Sequence, residues 1–313
     1  MTEILFIKTS SLGDVVHQLP AITDAARANP GARLSWVVEE AFAPLAKLHP
    51  AVAEVIPVAT RRWRNNLFRR RTWREIAAFR ARLRAKAYHC VIDTQGLLRS
   101  ALIAADSRGQ THGYDTKSIR EPLASHLYAV RHSVPRNMHA VARNRSLTSL
   151  ALGYSVAGDP DYGLTPSPSI APHTVVLLHG TSRTSKEWDE GKWIGLGDML
   201  HRLGCTVVLP SGNEREHARS VRLAAGISGS RVLDRRALGE VAALIGSASL
   251  VIGVDTGLLH LASAYQVPLV AIFKATDPAL TGPVGQGPMS VIGGMGRNPE
   301  LAEVIAAAEK LIR

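Results

Sequence analysis

Three short stretches place hydroxyl, carboxylate and ammonium groups where an apolar strand gives way to a helix. In FIKTSSLGDVVHQLPA (6–21) the strand ends at Ile7–Lys8, and a helix is expected from around Asp14. Ser10, Ser11 and Gly13 let backbone N–H groups point outward at a helix N-terminus, which suits an anion. A carboxylate in such a loop suits a general base; the plainer alternative is that Ser11 or Asp14 only caps the helix. In LLHGTSRTSKEWDEGKW (177–193) hydroxyl residues, Arg183 and Lys186 follow the strand. Hydroxyls with an ammonium at a strand end suit a diphosphate, and a solvated lysine in a polar loop is the alternative. In SLVIGVDTGLLHLASA (249–264) the strand delivers Asp255, Thr256–Gly257 make the turn, and His260 lies one helical turn on. Here the alternative is Thr256 as N-cap and His260 facing the core. Together the three junctions place polar loops on one edge of their sheets, as in an enzyme with a cleft.

These loops need strands and helices to hold them. EILFIK (3–8), LSWVV (34–38), AEVIPV (53–58) and HCVID (89–93) read as strands, with helical stretches near 14–28, 41–48 and 72–86. TVVLLHG (174–180), CTVVLP (205–210), SLVIGVD (249–255) and PLVAIF (268–273) repeat the rhythm, with helices near 189–203, 213–225, 237–246 and 257–265. Apolar strands alternating with helices imply parallel sheets covered on both faces. In such sheets ligands bind beyond the strand C-termini. GDPDYGLTPSPSIAP (158–172) is dense in Pro, Gly and Ser, so it reads as a linker between domains 1–157 and 173–313. The closing helix, 299–313, is left open to packing back on the N-terminal domain.

The chain has 313 residues, enough for two domains, and 46% apolar with 20% charged residues is a globular balance. No uncharged run reads as a membrane span, and the first residues lack a basic n-region, so a signal peptide is not expected. Cys90 and Cys205 lie apart in strand-like runs, as buried thiols of a reducing compartment. GxGxxG after a strand, GxxxxGK[ST], GxSxG and zinc-ligand spacings are all missing from the sequence, so neither metal nor cofactor is expected. The net charge is +11, and Arg61–Lys86 alone carries eleven basic residues against Glu75. Charge concentrated in this way suggests a docking site rather than a general polyanion coat.

KTSSLGDVVHQLPA, DTQGLLRSAL (93–102), REPLAS (120–125), TSRTSKEW (181–188) and VDTGLLHLASA (254–264) closely resemble stretches of the ADP-heptose:lipopolysaccharide heptosyltransferases, glycosyltransferase family 9. The resemblance runs from Ile4 to the closing helix. WVVEEAFAPL (36–45) and VIPVATRRWR (55–64) are similar to the branch that adds the first heptose. The resemblance implies the GT-B fold, two Rossmann-like doubly wound α/β domains facing across a cleft, with acceptor bound by the first and ADP-sugar by the second. It implies Asp14 as catalytic base. Thr181, Ser182 and Lys186 would contact the donor diphosphate, Glu216 the ribose, and Asp255, Thr256, Gly257 and His260 the phosphate and sugar. Ser182 stands where Thr is more usual and keeps the hydroxyl. Arg236 stands near the adenine where an apolar residue is expected, leaving a backbone contact.

The reaction implied is inverting transfer of L-glycero-D-manno-heptose from ADP-heptose to the Kdo 5-hydroxyl of Kdo-lipid A, at the cytoplasmic face of the inner membrane. Arg61, Arg62 and Arg64 are expected to bind the acceptor's carboxylates and phosphates, joined by Arg120 and His139. In TWREIAAFRARLRAK (72–86), Trp73, Ile76, Phe79 and Leu83 are expected to share one helical stripe. Basic residues would also draw the chain to an anionic membrane surface. One competitor is a sister enzyme that adds a later core heptose. Another is a nucleic-acid-binding protein, suggested by the pI near 10.1, but no recognition motif surrounds Trp63 or Trp73 and the clefts would go unexplained.

Overall fold

The structure, a computed structural model, describes residues 2–166, 173–181 and 183–312. The chain divides into two compact units, Met1–Gly163 and Leu164–Arg313, with the boundary inside the Pro/Gly-rich stretch 158–172. Residues 167–172 of that stretch lie outside the described residues.

The first unit is built on strands β1 (Glu3–Ile7), β2 (Arg33–Glu39), β3 (Val52–Val58), β4 (Tyr88–Asp93), β5 (Gly109–Tyr114) and β6 (Val130–His132). They lie in the order β3-β2-β1-β4-β5-β6, every pair parallel. The second unit has β7 (Thr174–Leu178), β8 (Thr206–Leu209), β9 (Arg231–Val232), β10 (Leu250–Val254), β11 (Leu269–Phe273) and β12 (Met289–Gly293). Their order, β12-β11-β10-β7-β8-β9, is the same topology. Each unit is thus a doubly wound sheet whose strand order reverses between its first and fourth strands, where such folds open a ligand crevice. Central strands are buried on both faces: Ile4, Leu5, Phe6 and Ile7 are wholly inaccessible, as are Leu250, Val251, Ile252 and Val254. This is why they read as unbroken apolar runs.

The expected strands and helices are present, with differences that have local causes. The helix expected over 14–28 is two helices, Leu12–Val16 and Leu19–Ala28, the second carrying Pro20 in its first turn. A proline there fits a new helix start and not an interior. β5, β6, β9 and β12 have no counterpart in the sequence reading, nor do the helices Leu98–Asp106 and Ala140–Leu152. The closing helix, Leu301–Leu311, packs within its own unit. Its Val304, Ala307 and Ala308 join the core cluster that holds Trp188 and Trp193, and the Trp188 indole donates to the Pro299 carbonyl at 2.9 Å. The expected stripe on the arginine-rich helix (Arg70–Arg84) also needs correction. Leu83 is buried, but Trp73 is 58% exposed and donates to the Leu67 carbonyl at 2.8 Å. Among the described residues no helix is long and apolar enough to cross a membrane.

Candidate active site

In the first unit the loops after β1 and β4 meet at the reversal point. The Gln95 side-chain carbonyl accepts from the Thr9 and Ser10 N–H groups, each at 3.0 Å, and Arg99 donates to the Ser10 hydroxyl at 2.8 Å. Ser11 is the N-cap of Leu12–Val16, so Asp14 lies within the first turn and not at its start. One Asp14 oxygen, Oδ2, accepts from the Ser11 N–H at 2.7 Å and from its hydroxyl at 3.0 Å. The carboxylate is therefore held in place at a half-buried position beside small-residue backbone, a geometry that suits a base.

Behind this loop Lys8 is almost fully buried, donating to the Thr94 carbonyl at 2.9 Å. Burial lowers its pKa, against the opposing pull of the Asp14 and Asp93 carboxylates. Asp93, at the end of β4, is wholly inaccessible. It accepts from Tyr128 at 2.7 Å and from the Gln95 and Gly96 N–H groups at 2.8 and 3.3 Å. Burial raises the carboxyl's pKa, and those donors work against the rise. Asp93 thereby fixes the loop that carries Gln95. The Tyr128 ring lies over Gly113, where a Cβ would come within 2.2 Å of it.

His139 caps Ala140–Leu152, accepting from the Val141 N–H at 3.2 Å, and its ring meets that of His17 edge-on with centroids 5.6 Å apart. Arg120 is exposed and shares a hollow of about 530 Å³ with Leu97, Leu98, Arg99, Leu102 and Glu121. Through Arg99 that hollow adjoins Ser10. His139 and Arg120 thus both border the Asp14 loop or its supports.

The three arginines after β3 differ from one another. Arg62 is clamped by Glu40 (Nε–Oε1 2.9 Å) and Glu75 (Nη1–Oε2 2.6 Å). Hydrogen bonds from Trp63 and Arg62 pull the Glu75 carboxyl down to about 2. The Arg61 guanidinium lies over the Phe42 ring, 5.5 Å from its centroid. Arg64 is exposed and makes no ion pair among the described residues.

In the second unit β7 and β10 are neighbours and their following loops join in the same way. Lys186 meets Asp255 at 2.6 Å, Thr276 donates to the same Asp255 oxygen at 2.6 Å, and the Thr181 hydroxyl donates to the Asp255 carbonyl at 3.2 Å. The Lys186 and Asp255 side chains are only 17% and 11% exposed, so an ammonium is held in a sheltered crevice. Thr256 occupies the N-cap of Gly257–Ala264, yet its side chain makes no capping hydrogen bond. Gly257 is the first residue of that helix, and His260 is buried on its first turn. Glu216 accepts from the Gly212 N–H at 2.8 Å and lies against Gly180, where a Cβ would be 2.7 Å from its carboxyl carbon. Arg236 stands apart: its exposed side chain pairs with Glu240 at 3.3 Å. Ser182 lies outside the described residues. Among the described residues no group of three or more His, Cys, Asp or Glu is placed to hold a metal ion.

Residues 76–309 match the sequence profile of glycosyltransferase family 9 (heptosyltransferase). The chain belongs to that family. This heptosyltransferase is a glycosyltransferase whose relatives cover nearly its whole length. It is 45% identical to lipopolysaccharide heptosyltransferase 1 of Pseudomonas aeruginosa over 90% of this chain and 81% of the relative. With the Escherichia coli K12 enzyme of the same name it shares 43% identity over 91% of this chain and 92% of the relative. Among solved structures, E. coli heptosyltransferase WaaC with ADP superposes with a TM-score of 0.91 at 42% identity, covering 99% of this chain and 98% of that one. WaaC with ADP-2-deoxy-2-fluoro heptose gives 0.88 at 40% identity. The GT-B neighbours and the two parallel sheets agree with the fold class expected from the sequence.

Several groups that shape these crevices in the heptosyltransferase escaped sequence reasoning. Gln95 and Tyr128 in the first unit and Thr276 in the second are polar residues in loops with no distinctive spacing, and Arg99 lies in the first turn of the helix Leu98–Asp106. The buried Arg219 is another, donating to the His179 and Trp188 carbonyls at 3.1 and 2.5 Å. One signal was available: Asp93 and Gln95 fall within DTQGLLRSAL, where the expected strand 89–93 ends.

Proposed function

We propose that this chain is an inverting heptosyltransferase that moves L-glycero-D-manno-heptose from ADP-heptose to the Kdo 5-hydroxyl of Kdo-lipid A. The observation that carries the reading is the likeness, over 99% of both chains, to WaaC bound to ADP-2-deoxy-2-fluoro heptose. The first heptose, rather than a later one, is favoured by identity. Four relatives named heptosyltransferase 1 are 41–45% identical, whereas heptosyltransferase 3 of E. coli K12 is 24% identical.

In this reading the first unit binds the acceptor and the second the donor. Asp14 takes the proton from the acceptor hydroxyl, whose oxygen attacks the anomeric carbon on the face opposite the diphosphate. The bond to the β-phosphate oxygen breaks and negative charge passes to ADP. Lys186, Thr181, Ser182 and the N–H groups at the start of Gly257–Ala264 meet that charge, while Asp255 and Thr276 hold Lys186 in position. Stabilising charge that appears only in the transition state raises kcat rather than mere affinity. His260 completes the sugar side, Glu216 takes the ribose, and the backbone at Arg236 borders the adenine. Arg61, Arg64, Arg120 and His139 serve the acceptor, with Arg62 acting through its clamp on Glu40 and Glu75 as well. The enzyme works as a peripheral protein on the anionic cytoplasmic face of the inner membrane, where that acceptor resides.

Purified protein incubated with ADP-heptose and Kdo-lipid A should yield a product heavier by one heptosyl residue. Transfer confined to an acceptor that already carries heptose would replace this reading with the sister activity.

A further inference from the structure

The eleven basic residues between Arg61 and Lys86 fall into two populations. At the C-terminal end of the arginine-rich helix every basic side chain has a carboxylate partner: Arg80 and Arg84 share Asp106, and Arg82 and Lys86 share Glu54. At its N-terminal end Arg71 pairs with Glu75, but Arg69, Arg70 and Arg74 are exposed and make no ion pair among the described residues. Those three are sequence neighbours of the most exposed large apolar side chains of the segment: Phe68 at 105%, Trp73 at 58% and Leu67 at 46%.

This apolar tip is held in shape. The Thr72 hydroxyl donates to the Asn66 carbonyl at 2.8 Å, Trp73 Nε1 donates to the Leu67 carbonyl at 2.8 Å, and the Arg69 N–H donates to the Asn66 carbonyl at 3.1 Å. A braced turn that presents Phe68 wholly to solvent, next in the chain to arginines that pair with no carboxylate among the described residues, matches an anionic bilayer. Aromatic and aliphatic side chains enter the headgroup–acyl boundary while arginines bind lipid phosphates. A nucleic-acid strand fits less well, because Phe68 protrudes instead of forming a platform within a groove.

We infer that Leu67, Phe68 and Trp73, flanked by Arg69, Arg70 and Arg74, form a membrane-inserting wedge for anionic phospholipid. The wedge is distinct from the acceptor-binding residues, and it rests on the membrane-surface part of the proposed function. It adds an apolar anchor to what charge alone would supply. Each arginine near an anionic surface raises partitioning about fivefold, in a way that salt screens. Burial of the apolar tip is insensitive to salt.

The test uses the full chain with phosphatidylglycerol vesicles that contain no acceptor. Leu67→Ser with Phe68→Ser should weaken vesicle binding about tenfold, and Arg69→Gln with Arg70→Gln and Arg74→Gln should weaken it further. Turnover of a deacylated, water-soluble acceptor should stay unchanged in the apolar variant. Because Cys90 and Cys205 are buried, Phe68→Cys can be labelled selectively with a polarity-sensitive dye. Its emission should shift to the blue on vesicles and be quenched by spin-labelled lipid, while a label at Ala81→Cys should not respond. Wild-type vesicle affinity in the apolar variant, an unquenched label at position 68, or tight binding of an oligonucleotide with none to vesicles would each overturn the wedge. A protein that docks on vesicles through position 68 yet transfers no heptose to Kdo-lipid A would overturn the proposed function alone.

Discussion

Asp14 offers the sharpest test, because its geometry supports two roles of very different size. Its Oδ2 accepts both the N–H and the hydroxyl of Ser11, at 2.7 and 3.0 Å, so it helps to start the helix Leu12–Val16. Asp14→Asn keeps a carbonyl oxygen able to accept both bonds and loses only the charge. Near a helix N-terminus that charge is worth about 0.3–1 kcal/mol. In a unit of this size such a loss moves Tm by about 2–4 °C at most. As a general base, by contrast, the carboxylate contributes about 10²–10⁴ in rate, or roughly 3–5 kcal/mol of transition-state stabilisation. The variant should therefore melt almost normally, bind ADP normally by calorimetry, and turn over at least ~10² more slowly under saturating substrates. Ser11→Ala supplies the control. It removes a hydroxyl that donates to Asp14 Oδ2, a net contribution of about 0.5–1.5 kcal/mol, but keeps the carboxylate, so it should cost at least as much in Tm and far less in kcat. If Asp14→Asn retained near-normal turnover, or if both variants lost activity in proportion to stability, the carboxylate would be a helix-starting group and nothing more.

Lys186→Ala should lower kcat about 10²–10³ and weaken ADP binding, since it also strips the sheltered Asp255 carboxylate of its cation and leaves it the Thr276 hydroxyl among the described residues; unchanged steady-state kinetics would remove Lys186 from the reaction. Arg61→Ala with Arg64→Ala should raise KM for Kdo-lipid A with little change for ADP-heptose, and equal losses for both substrates would point to damage to the fold. His49 is buried, lies 2.9 Å from the Thr23 hydroxyl, and is pushed down to about 4 by desolvation against a weaker pull from Asp161. It stays neutral in the folded chain while the unfolded chain takes up a proton, so its contribution is complete above pH 6.5 and is lost as pH falls toward 4. The loss is about 3 kcal/mol. Urea midpoints should fall over that window in the wild type and fall less in His49→Gln, and parallel curves would sink the assignment. Gly113→Ala should destabilise the first unit by about 1–3 kcal/mol through overpacking against Tyr128, and a crystal structure should show Asp93 losing its Tyr128 bond; a neutral thermal melt would refute this.

The amino-acid sequence by itself determined the central strands, the helices between them, and the junctions at which polar loops emerge. Burial on both faces demands unbroken apolar runs such as LFI and LVIGV, and these stand out between helix-period stretches. Short or polar strands carry no such demand. β5 reads GQTHGY, β6 has three residues and β9 has two, and their pairing depends on a neighbouring strand that local sequence does not describe. The functional residues divide on the same line. Asp255 directly follows an apolar strand, and Asp14 and Lys186 lie in the polar loops and first turns beyond two others, so all three stand out as candidates in the sequence. That Lys186 is held by Asp255, 69 positions away, and that Gln95 ties down the loop before Asp14, was decided only when the fourth strand of each sheet came to lie beside the first. The arginine segment makes the point most directly. Its eleven charges look equivalent in the sequence, yet Glu54 and Asp106 pair with the cations at one end of the helix, while Arg69, Arg70 and Arg74 near Phe68 in the chain pair with no carboxylate among the described residues. Net charge is fixed by composition, but the field that a partner meets depends on which counter-charges the fold brings within about 4 Å of each cation.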